Sequence, residues 1–109
     1  MMRTVEILLY TLKKGTGKKF HKIMVEQSAP LHRASGIDIV SFGNSTHDED
    51  SYYLIRSFDD PAHMKLSQGE FYSSDAWING PRTEIIERIE TSVKSVLILG
   101  AKVVDNLRM

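Results

Sequence analysis

The sequence contains no cysteine. That absence removes disulfide bridges, thiolate metal sites and a cysteine nucleophile together, and it fits a reducing compartment. Net charge is lacking too: 14 basic residues balance 14 acidic ones, so no long-range field favours nucleic acid or an anionic membrane. No apolar run approaches the roughly 18 residues that cross a bilayer. No basic segment leads into an apolar core and a cleavage site, so the expected location is cytoplasmic. There is no Gly-rich phosphate loop, nucleophile elbow or paired-carboxylate motif. Proline is scarce, with three in 109 residues, and tryptophan scarcer, with one. What is present is an ordinary mixture, 41% apolar and 26% charged, the composition of one globular domain spanning residues 1–109.

The chain divides readily into elements. Thr4 to Leu12 reads as a strand with apolar residues on both parities, hence a central one covered on both faces. Phe20, Ile23, Met24, Gln27, Leu31 and Ala34 recur at helical spacing. Pro30 should kink or end that helix, and Gly36 is a plausible C-terminal cap. Ile37 to Phe42 and Ser51 to Phe58 read as strands joined by a polar hairpin connection. Asp59-Asp60-Pro61 is a helix start, a carboxylate cap followed by proline at the first helical position. That helix runs to Phe71 or Tyr72. Gly80-Pro81 starts another, with Ile85, Ile86 and Ile89 on its buried face. Ser92 to Leu99 is a last strand, again apolar on both parities. The tail from Gly100 is semi-polar, either extended or docked on a partner.

Strand, helix, strand, strand, helix, strand is the order of an α+β, ferredoxin-like βαββαβ domain, here with an extra helix before the last strand. Its antiparallel four-stranded sheet has the order 4-1-3-2. The helices cover one sheet face only. The other face, apolar in the first and last strands, needs a second cover, and a homodimer stacking two such sheets supplies it.

A few residues carry candidate chemistry. Glu6 sits mid-strand, where a carboxylate is costly to bury unless paired, and Arg56 lies at the middle of the neighbouring strand. The pair is either structural or the wall of a pocket holding a polar ligand. His32 follows the Pro30 break and is either a helix-end histidine or a proton-transfer group. His47 lies in an acidic hairpin without the fixed spacing of a metal site, and no metal is expected. The densest stretch is Phe71 to Arg82. Trp77, Pro81 and Ile85 recur every four residues, so Trp77 either staples a helix to the core or walls a pocket. A pocket lined by Tyr10, Tyr53, Phe71 and Trp77, with His32, Arg56 and Arg82 as its polar groups, suits a flat apolar or aromatic molecule. In that pocket His32 and Arg82 are the candidate catalytic residues.

The chain resembles the NIPSNAP family, part of the dimeric α+β barrel superfamily that includes antibiotic-biosynthesis-type monooxygenases. The resemblance is carried by Val5-Glu6-Ile7, Tyr10-Thr11-Leu12 and Gly15, then Pro30-Leu31-His32-Arg33 and Gly36. It continues through Tyr53-Leu54-Ile55-Arg56-Ser57-Phe58 to Phe71-Tyr72, Trp77, Gly80-Pro81-Arg82, Ile85 and Ile89-Glu90. The family often has an arginine two residues after the strand glutamate, where this chain has Leu8. The resemblance implies a dimeric α+β barrel more firmly than any activity. It suggests either a ligand binder or cofactor-independent oxygenase, with His32 as base and Arg82 or Arg56 stabilising negative charge, or a non-enzymatic homodimeric interaction module. Some superfamily members hold haem through a histidine and a neighbouring tryptophan. His63 lies too far from Trp77 to match, so no cofactor is expected. The expected partners are a second copy of the chain and a small apolar ligand, with no nucleic acid and no membrane span.

Overall fold

The computed structural model describes residues 1–109. Four strands, β1 (Met2–Leu12), β2 (Asp38–Asn44), β3 (Ser51–Phe58) and β4 (Ile89–Gly100), form one antiparallel sheet in the order β2-β3-β1-β4. This is the ferredoxin-like order expected, with β1 in the middle. Its two-sided apolar character has a physical cause. Leu8 and Leu12 face a large core beneath the helices, while Val5 packs on the opposite face against Val40 and Val104.

The first helical segment does not end at Pro30. It runs as α1 (Gly17–Ile23), a π-helical turn (Met24–Ser28) and α2 (Ala29–Ala34). Proline has no amide proton to continue the α-helical pattern. The wider turn, in which the Ala29 amide reaches back to the Met24 carbonyl, carries the helix past it. Gly36 then takes φ of +80°, a left-handed conformation suited to glycine, and stops it.

Helix α3 (Pro61–Ser73) begins as expected: the Asp60 carboxylate accepts the His63 amide at 2.7 Å, with proline in the first turn. The corner after it differs from expectation. A short helix α4 (Asp75–Ile78), capped by the Ser74 hydroxyl, carries Trp77. Gly80 permits the tight turn that follows, since a Cβ there would lie 2.2 Å from the Ala76 carbonyl oxygen. Helix α5 (Arg82–Ile86) is only five residues long. Of the three isoleucines expected on its buried face, only Ile85 is buried; Ile86 is exposed, and Ile89 already belongs to β4.

One further expectation is corrected. The tail folds as helix α6 (Ala101–Asn106) and docks on its own sheet, placing Val104 against Val5 and Val40. Arg108 secures it with a two-pronged ion pair to Asp38, at 2.8 and 2.9 Å. Strand β4 is the edge strand that the expected order requires, and it is exposed along most of its length. The polar connection between β2 and β3 is also anchored to the rest of the fold. Its Asp50 carboxylate accepts the amides of Gly15 and Gly17, tying the hairpin to the turn after β1. No helix is long and apolar enough to cross a membrane.

Candidate functional site

The sheet register creates the site. β1 and β3 pair Glu6 with Arg56, Leu8 with Leu54 and Tyr10 with Tyr52. Because side chains alternate, all six face the helices. Glu6 and Arg56 therefore meet in the core, each with 1% of its surface exposed. Oε1 of Glu6 accepts from Arg56 Nε at 2.8 Å and from Nη2 at 2.5 Å. Oε2 accepts from the Gln68 amide at 2.9 Å. Arg56 Nη1 donates to the Tyr72 hydroxyl at 2.7 Å and to His32 Nε2 at 3.0 Å. Gln68 and Tyr72 are four residues apart on α3, so one helix face delivers both. Burial works against the Arg56 charge, but Tyr72 and Glu6 outweigh it and raise its pKa.

His32 is fixed from behind. Its Nδ1 lies 2.7 Å from the Ser28 carbonyl oxygen, an acceptor only, so Nδ1 carries the proton. Nε2 then presents its lone pair to Arg56. The ring stacks against Phe71 with centroids 4.3 Å apart and is buried. Burial is the main force lowering its pKa, to about 4; the Ser28 carbonyl opposes this and the Arg56 charge adds to it. The neutral ring is thus an acceptor that holds Arg56.

This arrangement has a stability consequence. An unfolded histidine titrates near 6.5, the folded His32 near 4. Above pH 6.5 both states are neutral and the shift has no effect. As pH falls from 6.5 towards 4, the unfolded chain binds a proton that the folded chain refuses, so stability declines by up to about 3 kcal/mol. Urea unfolding of the wild type and His32→Gln at pH 7.5 and pH 4 isolates this effect, since other titrations are common to both. The stability difference between the two proteins should shrink by that amount at the lower pH. A difference independent of pH would contradict the buried neutral ring.

Above the ion pair lies a cavity of about 430 Å³. Leu8, Trp77, Ile85, Ile86 and Ile89 give it apolar walls, and Glu6, Arg56, Gln68 and Tyr72 form its polar floor. Tyr10, Ser92 and Lys94 complete the lining from β1 and β4. Trp77 is held in place by Phe71 and Tyr72, with ring centroids 5.3 and 5.4 Å away.

Of the residues singled out in the sequence, Glu6, Tyr10, Arg56 and Trp77 line this cavity. His32 and Phe71 are buried and lie outside its lining. Tyr53 is elsewhere: it points to the opposite sheet face, where its hydroxyl meets Ser41 at 2.8 Å. Arg82 is exposed and outside the cavity lining. Gln68 and Lys94 are cavity residues that sequence reasoning misses. The spacing of Gln68 and Tyr72 on the helix following β3 is the available signal for the first. Nothing in the sequence marks Lys94.

No family model matches this sequence, and no curated protein does either. Solved structures do match. A NIPSNAP family protein from Agrobacterium tumefaciens superposes with a TM-score of 0.80 at 13% identity, over 91% of this chain and 87% of that one. An uncharacterized NIPSNAP domain protein from Burkholderia xenovorans gives 0.79 at 16% identity, over 90% and 95%. A cofactor-independent oxygenase from Streptomyces nogalater gives 0.63 at 14% identity, over 92% and 93%. The class is therefore an α+β protein of ferredoxin-like topology. Within it, the fold is that of the NIPSNAP proteins, in agreement with the sequence resemblance, and it extends to an oxygenase at lower similarity.

Proposed function

We propose that this protein, a NIPSNAP-like chain, binds a flat apolar or aromatic small molecule in the cavity beside Trp77. The observation that supports it best is the combination of apolar walls with a floor made of one fully hydrogen-bonded ion pair. A packing joint needs no buried charge, and a buried ion pair is often no more stable than a hydrophobic replacement. An apolar cavity of a few hundred cubic ångströms with a few fixed polar groups is the usual form of a ligand site. Cofactor-independent oxygenation is the enzymatic version of this reading, and the fold of the Streptomyces enzyme favours it. Such chemistry asks the protein to move one proton. His32 has both ring nitrogens engaged and lies outside the cavity lining, so binding is the reading the geometry supports.

The binding is tested by thermal unfolding with planar aromatic probes such as 1-naphthol. A probe at a hundredfold excess over its Kd stabilises the fold by about 3 kcal/mol, read as a saturable rise in Tm. Arg82→Ala should show the same rise. If no probe of this class raises Tm, the non-enzymatic interaction module is the better reading.

The reading includes a cytoplasmic homodimer. Support comes from β4, whose outer edge has no strand partner. Val93 and Leu97 on one face, and Val96 and Ile98 on the other, are all at least 40% exposed. Long apolar edge strands invite pairing or burial, and Leu9 extends the same open surface on β1. Sedimentation velocity should give twice the chain mass. Val93→Glu with Leu97→Glu should give a folded monomer; a wild-type monomer at micromolar concentration would contradict the dimer.

A further inference from the structure

We propose that the cavity selects a ligand with an anionic oxygen head group, an apolar carboxylic acid, held by the phenols of Tyr10 and Tyr72 and the ammonium of Lys94. This rests on the binding reading above and goes further, because the only charged group still unpaired at the cavity is a cation. Glu6 is the only carboxylate lining it, and both its oxygens already accept hydrogen bonds, from Arg56 and Gln68. Nε and Nη1 of Arg56 are engaged by Glu6, His32 and Tyr72, and Nη2 is held by Glu6. Tyr72 accepts from Arg56, which leaves its own O–H free to donate. Tyr10 and Lys94 line the cavity and take part in none of the protein's side-chain hydrogen bonds or ion pairs.

The free groups are thus two phenol donors, one ammonium, the Ser92 hydroxyl and the Gln68 carbonyl oxygen, with no free carboxylate among them. Burial, reinforced by Tyr72, raises the Tyr10 pKa well above the ordinary phenol value, which keeps it a donor. Glu6 and Arg56 cancel in charge, so Lys94 leaves the cavity net positive. The register places Lys94 beside Leu8 and Ser92 beside Tyr10, so the cation and the phenol stand two rungs apart on the same face of the β1–β4 ladder. An amine entering here meets no free carboxylate. A carboxylate meets donors and a cation, the combination that makes charge-assisted hydrogen bonds. Trp77 and Ile86 then enclose its apolar body.

Isothermal titration of the protein with 1-naphthoate, 1-naphthylmethanol and 1-naphthylmethylamine separates head group from body. Naphthoate should bind roughly tenfold or more tightly than the amine. Tyr10→Phe and Lys94→Met should each weaken naphthoate by about fivefold, and Lys94→Met should leave the alcohol within about twofold. Neither substitution removes a bond the fold uses, so both variants should be folded. Equal binding of acid and amine, or a Lys94→Met variant with unchanged naphthoate affinity, overturns the head-group assignment while the cavity stands. Failure of all three probes to bind overturns the cavity reading and this inference together.

Discussion

Glu6→Gln is expected to destabilise the fold by about 3–5 kcal/mol, and Arg56→Met by a similar amount. Each removes one member of an ion pair whose side chains are both 2% exposed. The remaining charge has almost no contact with water, and its other partners cannot replace what was lost. Gln68 offers Glu6 one neutral donor, while His32 and Tyr72 offer Arg56 two neutral acceptors. The two substitutions should not add. With both made, no charge is stranded, and the double variant should be about 2 kcal/mol more stable than the sum predicts. Urea unfolding of the four proteins measures the coupling. Strict additivity would mean that the pair does not act as a unit.

Trp77→Ala should cost about 3–5 kcal/mol, the range for deleting a large buried aromatic side chain. The indole is 4% exposed and packs against both Phe71 and Tyr72. Its loss opens a void at the α3–α4 corner and removes a cavity wall at once. Trp77→Phe should cost less in stability, as it keeps an aromatic body. The comparison by urea unfolding is informative because α4 has only four residues. So short a helix has little stability of its own, and the anchor of the corner is therefore the tryptophan. An alanine variant within about 1 kcal/mol of wild type would contradict that role.

Much of the fold is legible in the sequence because the responsible chemistry is local. The two-sided apolar pattern of β1, the Asp60-Pro61 helix start and the left-handed stop at Gly36 each depend on residues close together in sequence. The Glu6–Arg56 meeting is legible as well, since the topology makes β1 and β3 neighbours. Alternation alone excludes Tyr53 from the site: it lies three residues from Arg56 on one strand, so the two point to opposite faces. Other features depend on packing that sequence periodicity does not encode. The orientation of His32 follows from a π-helical turn accommodating Pro30. The shortness of α5 leaves Arg82 and Ile86 on exposed positions, although the spacing of the isoleucines suggests a longer helix. The apolar run of β4 does not by itself say what covers it, and within a single chain it is an exposed edge. A strand made to meet a second copy carries the same pattern as a buried one.

The central claim is that the cavity over Glu6 and Arg56 is a binding site, and the single tryptophan of this chain stands in its wall. Its indole N–H gives one resonance in a ¹H–¹⁵N spectrum, and titration with 1-naphthol follows that resonance directly. The indole signal should move saturably, together with the amides of Leu8, Tyr72 and Ile86, while those of Tyr53 on the opposite sheet face stay still. Saturable binding that leaves the Trp77 indole unmoved and shifts the residues around Tyr53 instead would contradict the account.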